Sequence, residues 1–141
     1  LAFGSIDFAA DMGCDHERVA LAAARSELVF ASRLGGLMAP LDGVTANFRD
    51  NALTAEDARY ARILGFGGKL AIHPQQVPAI FDGFRPLDEE ADWARRVLAS
   101  GDGAVALDGA MIDAPVRAKA RWVIARLEAV DRTAQRTDRS N

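Results

Sequence analysis

The strongest constraint on the fold is the order in which strand-like and helix-forming segments alternate. "LAFG" reads as a short buried strand, "LMAPLDGV" as a second and "GKLAIHP" as a third. Between the first two lies "DHERVALAAARSELVFASRLGG", a helix pattern with Asp15 placed to cap its start and Gly35 or Gly36 to close it. "TAEDARYARILGF" follows the second strand, with Thr54 as cap and Gly65 as stop. After the third comes "PLDEEADWARRVLAS", whose acids precede its arginines, the order favoured by a helix dipole. Strand, helix, strand, helix, strand, helix predicts parallel βα units, from either an open doubly wound sheet or a (β/α)8 barrel. Three strands fall short of both, since a barrel takes about 250 residues and eight strands. The expectation is an α/β chain that forms part of a larger unit.

Beyond residue 100 the pattern changes. "GAVALDGAMID" places two short apolar stretches around Asp108 and Gly109, a hairpin signal. "APVRAKARWVIARLEAV" reads as a last helix, with Val116, Ala120, Val123, Ile124 and Leu127 along one side. The polar tail 131–141 is expected to fray. Trp93 and Trp122 sit at helical spacing among apolar neighbours and read as packing residues.

Charge narrows the function classes. A net charge of -3, with arginines dispersed among acids, argues against a sequence-independent grip on nucleic acid or an anionic membrane. No run approaches the roughly 18 to 20 apolar residues of a membrane span. Cys14 is the single cysteine and cannot form an internal disulfide, which makes a reducing cytoplasm the simpler expectation.

Each strand ends near a residue able to carry chemistry: Asp7, Asp42 and His73. In parallel α/β folds the carboxyl ends of the strands face the active site, so the three belong on one rim. Each also has a plain structural alternative. Asp7 suits a turn or cap, Asp42 begins an Asp-Gly turn, and His73 suits a hydrogen bond in a strand-to-loop transition. "CDHE" at 14–17 holds potential metal ligands, but four adjacent residues cannot all converge on one ion, and a loop with a helix cap is the expected role.

"FGSIDFAADMG", "APLDGV", "GFGGKLAIHPQQV" and "LDGAMIDAPV" stand in the order and approximate spacing of the citrate lyase beta-subunit-like proteins, within the wider HpcH/HpaI-type aldolases. The chain resembles that family up to about Val130. The resemblance implies the C-terminal part of a TIM barrel over 1–100, an extension over 101–130 that packs on a neighbouring subunit, and the tail beyond. It implies Mg2+ on Asp7, with a second carboxylate, a glutamate, and a substrate-holding arginine located upstream of Leu1. Many relatives carry an acid where this chain has Ile6. The implied reaction is carbon–carbon lyase chemistry between an acyl thioester, usually of coenzyme A, and a keto acid. Asp113 is the implied acid/base, donated to a neighbouring subunit of a homotrimer. Pro40, Leu41 and Asp42 match the loop that lines the thioester pocket, and His73 and Gln75 are expected to shape the site. For Asp113 the residues alone suggest an N-cap, since Pro115 falls in the first turn of the last helix. Other readings are a pyruvate-type class II aldolase of the same wider family and a non-catalytic fragment.

Overall fold

Three parallel segments carry the first part of the chain. Ala2 bridges to Leu41, and β1 (Leu41–Asp42) pairs in parallel with β2 (Gly68–Lys69), with Leu41 opposite Gly68 and Asp42 opposite Lys69. Phe3 N donates to Leu41 O, and Leu70 N to Asp42 O, both at 2.9 Å, which extends the pairing beyond the named strands. In this computed structural model, residues 1–101, 105–107 and 109–138 are described. They fall into two units, Leu1–Phe84 and Arg85–Asn141.

The strands are shorter than "LAFG", "LMAPLDGV" and "GKLAIHP" suggest, and chain chemistry accounts for part of this. Pro40 has no amide hydrogen to donate to a ladder. Gly43 lies so close to Ser5 that a Cβ there would sit 2.0 Å from Ser5 Oγ. Directly after the first segment the chain turns into α1 (Ser5–Met12), a helix not anticipated from the sequence. Ser5, Phe8 and Ala9 face inward, and Gly13, at φ 64°, lets Cys14 N reach back to Ala9 O.

The helices of the first unit follow the expected order. α2 (Arg18–Leu34) begins after Glu17, which makes no side-chain cap, so Asp15 does not cap it as expected; Gly35 ends it. α3 (Asn51–Leu64) starts earlier than expected, because Asp50 accepts from Leu53 N, while Thr54 lies within the helix and donates to Asp50 O. Gly65 stops it at φ 104°. α4 (Gln76–Phe84) is a further helix not anticipated from the sequence, and it packs on α3 where Gly83 lies against Ala55 and Ala58. Phe3, Ala9, Leu21, Ala58, Ala61, Phe66 and Phe84 make the core of this unit.

The second unit begins before the expected division at residue 100. α5 (Asp88–Ala99) packs with α6 (Ala114–Asp138), and Ala94, Val97, Ile112, Ala120 and Val123 form their core. Between them, β3 (Val105–Leu107) and β4 (Ala110–Ile112) pair antiparallel as the expected hairpin, with Gly109 at φ 78°; Asp108 lies outside the described residues. Val116 and Ile124 pack on the core as expected. Trp93 does too, but Trp122 is 49% exposed, and the Arg126 guanidinium lies over its ring at 4.1 Å. α6 continues to Asp138, into the tail expected to fray. Asp131 pairs there with Arg85 at 2.6 Å and Arg132 with Glu128 at 3.6 Å. No helix among the described residues is long and apolar enough to cross a membrane.

Candidate functional site

Asp7 stands in the first turn of α1, just past a strand end rather than at it. Its side chain is exposed and has no hydrogen-bond or ion-pair partner among the described residues. A carboxylate there suits the positive end of a helix dipole. Ile6 beside it is exposed, whereas Phe8 turns inward to meet Phe3 edge-to-face at 5.4 Å, so the apolar neighbours of Asp7 do not enclose it. Among the described residues no three His, Cys, Asp or Glu side chains converge on a metal position. Asp7 therefore offers a single hard oxygen donor, consistent with Mg2+, which takes one or two protein carboxylates and completes its octahedron with water and substrate.

Asp42 has a different environment. It is 1% exposed, and its Oδ1 accepts from Arg25 Nε at 2.8 Å. Lys69 Nζ lies 3.6 Å from its Oδ2 and donates to Gly43 O at 2.5 Å. Burial pushes the Lys69 ammonium below its ordinary value, against the opposing attraction of Asp42 and Asp57. Asp42 Oδ2 and Arg25 Nη1 are buried without a hydrogen-bond partner among the described residues. Removing one member of a buried charge cluster leaves another uncompensated, at a cost of about 3 to 5 kcal/mol. The side chain is thus committed to the layer between strand and α2. Neighbouring Pro40 is also fully buried, and its carbonyl accepts from Gly67 N at 2.9 Å. Of the three, Leu41 alone shows its side chain, at 40% exposure.

Beyond β1 lies a cavity of about 650 Å³ lined by His16, Arg18, Thr45, Asn47, Glu56 and Asp57, among others. Arg18 donates to Asp57 Oδ1 from Nε and Nη2, at 3.0 and 2.8 Å, and to Glu56 from Nη1 at 2.7 Å. Burial opposes its charge, but these bonds outweigh it and raise the guanidinium above its ordinary value. Thr45 Oγ1 donates to Asp57 Oδ2 at 2.7 Å, and Gln76 Nε2 donates to Thr45 O at 2.9 Å. His16 Nε2 lies 2.9 Å from Ser5 Oγ, which joins the α1–α2 loop to the start of α1. Of "CDHE", Cys14 is partly buried against the core and the other three are exposed.

His73 stacks on Phe48 at 4.7 Å, and its Nδ1 accepts from Gln75 N at 3.1 Å. Both His73 and Gln75 are exposed. Asp113, in the second unit, starts α6: its Oδ1 accepts from Val116 N at 3.1 Å. It remains exposed, so capping uses one oxygen and leaves the carboxylate open to solvent.

The partners of Asp42 were not foreseen, although a signal exists. Arg25 lies one turn after Leu21 and one before Leu28 and Val29, on the buried face of α2, and a cation on an apolar face calls for a buried anion. The Ser5–His16 bond has no comparable trace, because it depends on how α1 turns the chain back.

No family model matches the chain. It is 36% identical over 131 residues to the citrate lyase subunit beta-like protein of Deinococcus radiodurans, covering 86% of this chain and 46% of that protein. Mitochondrial citramalyl-CoA lyase of Homo sapiens is 33% identical over 86% of this chain and 38% of its own length. Citrate lyase subunit beta of Escherichia coli is 31% identical over 91% of this chain and 45% of its own. The chain thus spans less than half the length of these relatives. Among solved structures, CitE of Mycobacterium tuberculosis in complex with magnesium, acetoacetate and coenzyme A aligns over 90% of this chain and 51% of its own, with TM-score 0.79 and 33% identity. A citrate lyase of Burkholderia xenovorans aligns over 95% of this chain and 46% of its own, with TM-score 0.70 and 27% identity.

Proposed function

Because the chain belongs to the citrate lyase beta-subunit-like family, we propose that its protein is a Mg2+-dependent carbon–carbon lyase acting between a coenzyme A thioester and a keto acid. The observation that carries this reading is Asp7, an exposed carboxylate without a partner among the described residues, in a chain similar to a protein crystallised with magnesium, acetoacetate and coenzyme A. Asp7 would hold the metal together with ligands from outside this chain. Mg2+, when bound, supplies Lewis-acid stabilisation of charge developing on a keto acid oxygen.

The remaining tasks fall to the chain's own residues. Asp113 takes or returns the proton at the thioester's α carbon, reaching the site of a neighbouring subunit within a homotrimer. Its free carboxylate oxygen and exposed position suit that task. Pro40, Leu41 and Asp42 form the wall beside the thioester. The carbonyls of all three are engaged by Gly67, Phe3 and Leu70, so contact there falls to the Leu41 side chain. His73, held by its stack on Phe48, shapes the same rim.

The parallel segments represent the last βα units of a TIM barrel. An apolar groove lined by Phe3, Phe8, Ala24 and Leu28 supports this, having the chemistry that a preceding βα unit covers. Cleavage assays on coenzyme A thioesters, with and without Mg2+, test the proposal. Wild type should require the metal, and Asp7→Ala should abolish cleavage.

A further inference from the structure

We infer that His16 is a positioning residue for the Asp7 carboxylate, acting through its hydrogen bond to Ser5; the inference rests on the reading of Asp7 as a metal ligand. Ser5 is the first residue of α1 and is 2% exposed. Its hydroxyl has one hydrogen-bond partner among the described residues, His16 Nε2 at 2.9 Å. Gly4 precedes it and supplies no side-chain cap, so on its N-terminal side α1 is anchored by backbone alone, through Phe3 N to Leu41 O. Two side-chain contacts add to this. Gly43 closes against Ser5, where a Cβ would come within 2.5 Å of Ser5 Cβ, and the His16 ring holds the hydroxyl.

Asp7 lies two residues further along this turn and has no side-chain partner among the described residues. The position from which its carboxylate projects is therefore set by the backbone of the turn, which Ser5 helps to fix. Outer partners that orient a metal ligand typically change metal affinity by about 10- to 100-fold when removed. Without His16, a buried hydroxyl would also lose its bond, an incentive for the first turn to shift.

Mg2+ binding to the protein containing this chain, measured by calorimetric titration without substrate, tests the inference. His16→Ala should weaken binding by about tenfold. His16→Gln should keep most of the affinity, because its amide can donate to or accept from Ser5 Oγ. Ser5→Ala should match His16→Ala, and the double variant should be no weaker than either, as expected for one shared interaction. If His16→Ala does not fold, Ser5→Ala carries the same prediction. His16 also walls the 650 Å³ cavity, so a role confined to substrate would raise KM and leave substrate-free Mg2+ affinity unchanged. Unchanged affinity in His16→Ala or Ser5→Ala, with Asp7→Ala losing the metal, overturns the inference, as does failure of His16→Gln to rescue. Unchanged affinity in Asp7→Ala overturns the underlying metal assignment instead.

Discussion

Capping a helix and transferring a proton make different demands on one carboxylate, and at Asp113 the two can be separated. The cap needs any short side-chain oxygen, whereas proton transfer needs an ionisable group. Asp113→Ala should lose about 1 kcal/mol of stability through the missing cap and also lose turnover. Asp113→Ser should keep the stability and still lose turnover; wild-type turnover in the Ser variant would show that capping is the whole role. Lys69 yields a pH prediction. Its folded pKa is lowered from 10.5, so between the lowered value and 10.5 the unfolded chain binds more protons than the folded one. Its contribution therefore makes stability rise with pH across that alkaline window. Denaturant unfolding of Lys69→Met at several alkaline pH values should show a smaller rise than wild type; an equal rise would contradict the burial argument. Asp113 could be read from its neighbours in sequence because the capping geometry is local. The partners of Asp42 lie 17 and 27 residues away by number, a contact that only the paired strands and α2 create.

The elements that sequence pattern revealed are those with long apolar periodicity and clear stops. α2, α3 and α5 have both and α6 has the periodicity, and Gly65 ends α3 at φ 104°, where a side chain would be strained. α1 and α4 are short helices, α1 directly after the first parallel segment and α4 after the loop that follows β2, in segments whose apolar content reads equally well as strand or loop. The sequence pattern puts Asp7 at a strand end, whereas the first turn of α1 carries it. The starts of α2 and α3 depart from the pattern for a common reason, since Asp15 and Thr54 have cap chemistry but Glu17 and Asp50 occupy the capping positions. Packing between α3 and α4 supplies a test at this scale. A Cβ on Gly83 would meet Ala55 O at 2.4 Å and Ala58 Cβ at 2.5 Å. Gly83→Ala should cost about 1 to 3 kcal/mol in chemical denaturation, as overpacking does, despite the better helix propensity of alanine. A stabilised variant would show that the two helices separate readily.

At the level of the whole molecule, the α/β class followed from the alternation of elements; the parallel segments Ala2, β1 and β2 do not by themselves make a closed barrel. The chain covers 38 to 46% of the length of these relatives. If Asp7 and Asp113 serve one site from different subunits, each inactive variant retains what the other lacks. Mixing Asp7→Ala and Asp113→Ser subunits, with unfolding and reassembly, should recover part of the activity; no recovery in verified mixed oligomers would place both residues in one subunit. Whether the protein is a Mg2+-dependent lyase with Asp7 as ligand is decided by cleavage of coenzyme A thioesters across a Mg2+ titration in wild type and Asp7→Ala. Wild type should cleave in a metal-dependent way, and the variant not at all at any Mg2+ concentration that saturates wild type. Cleavage that proceeds without added metal in the presence of chelator, or an Asp7→Ala titration that overlays wild type, would contradict that reading.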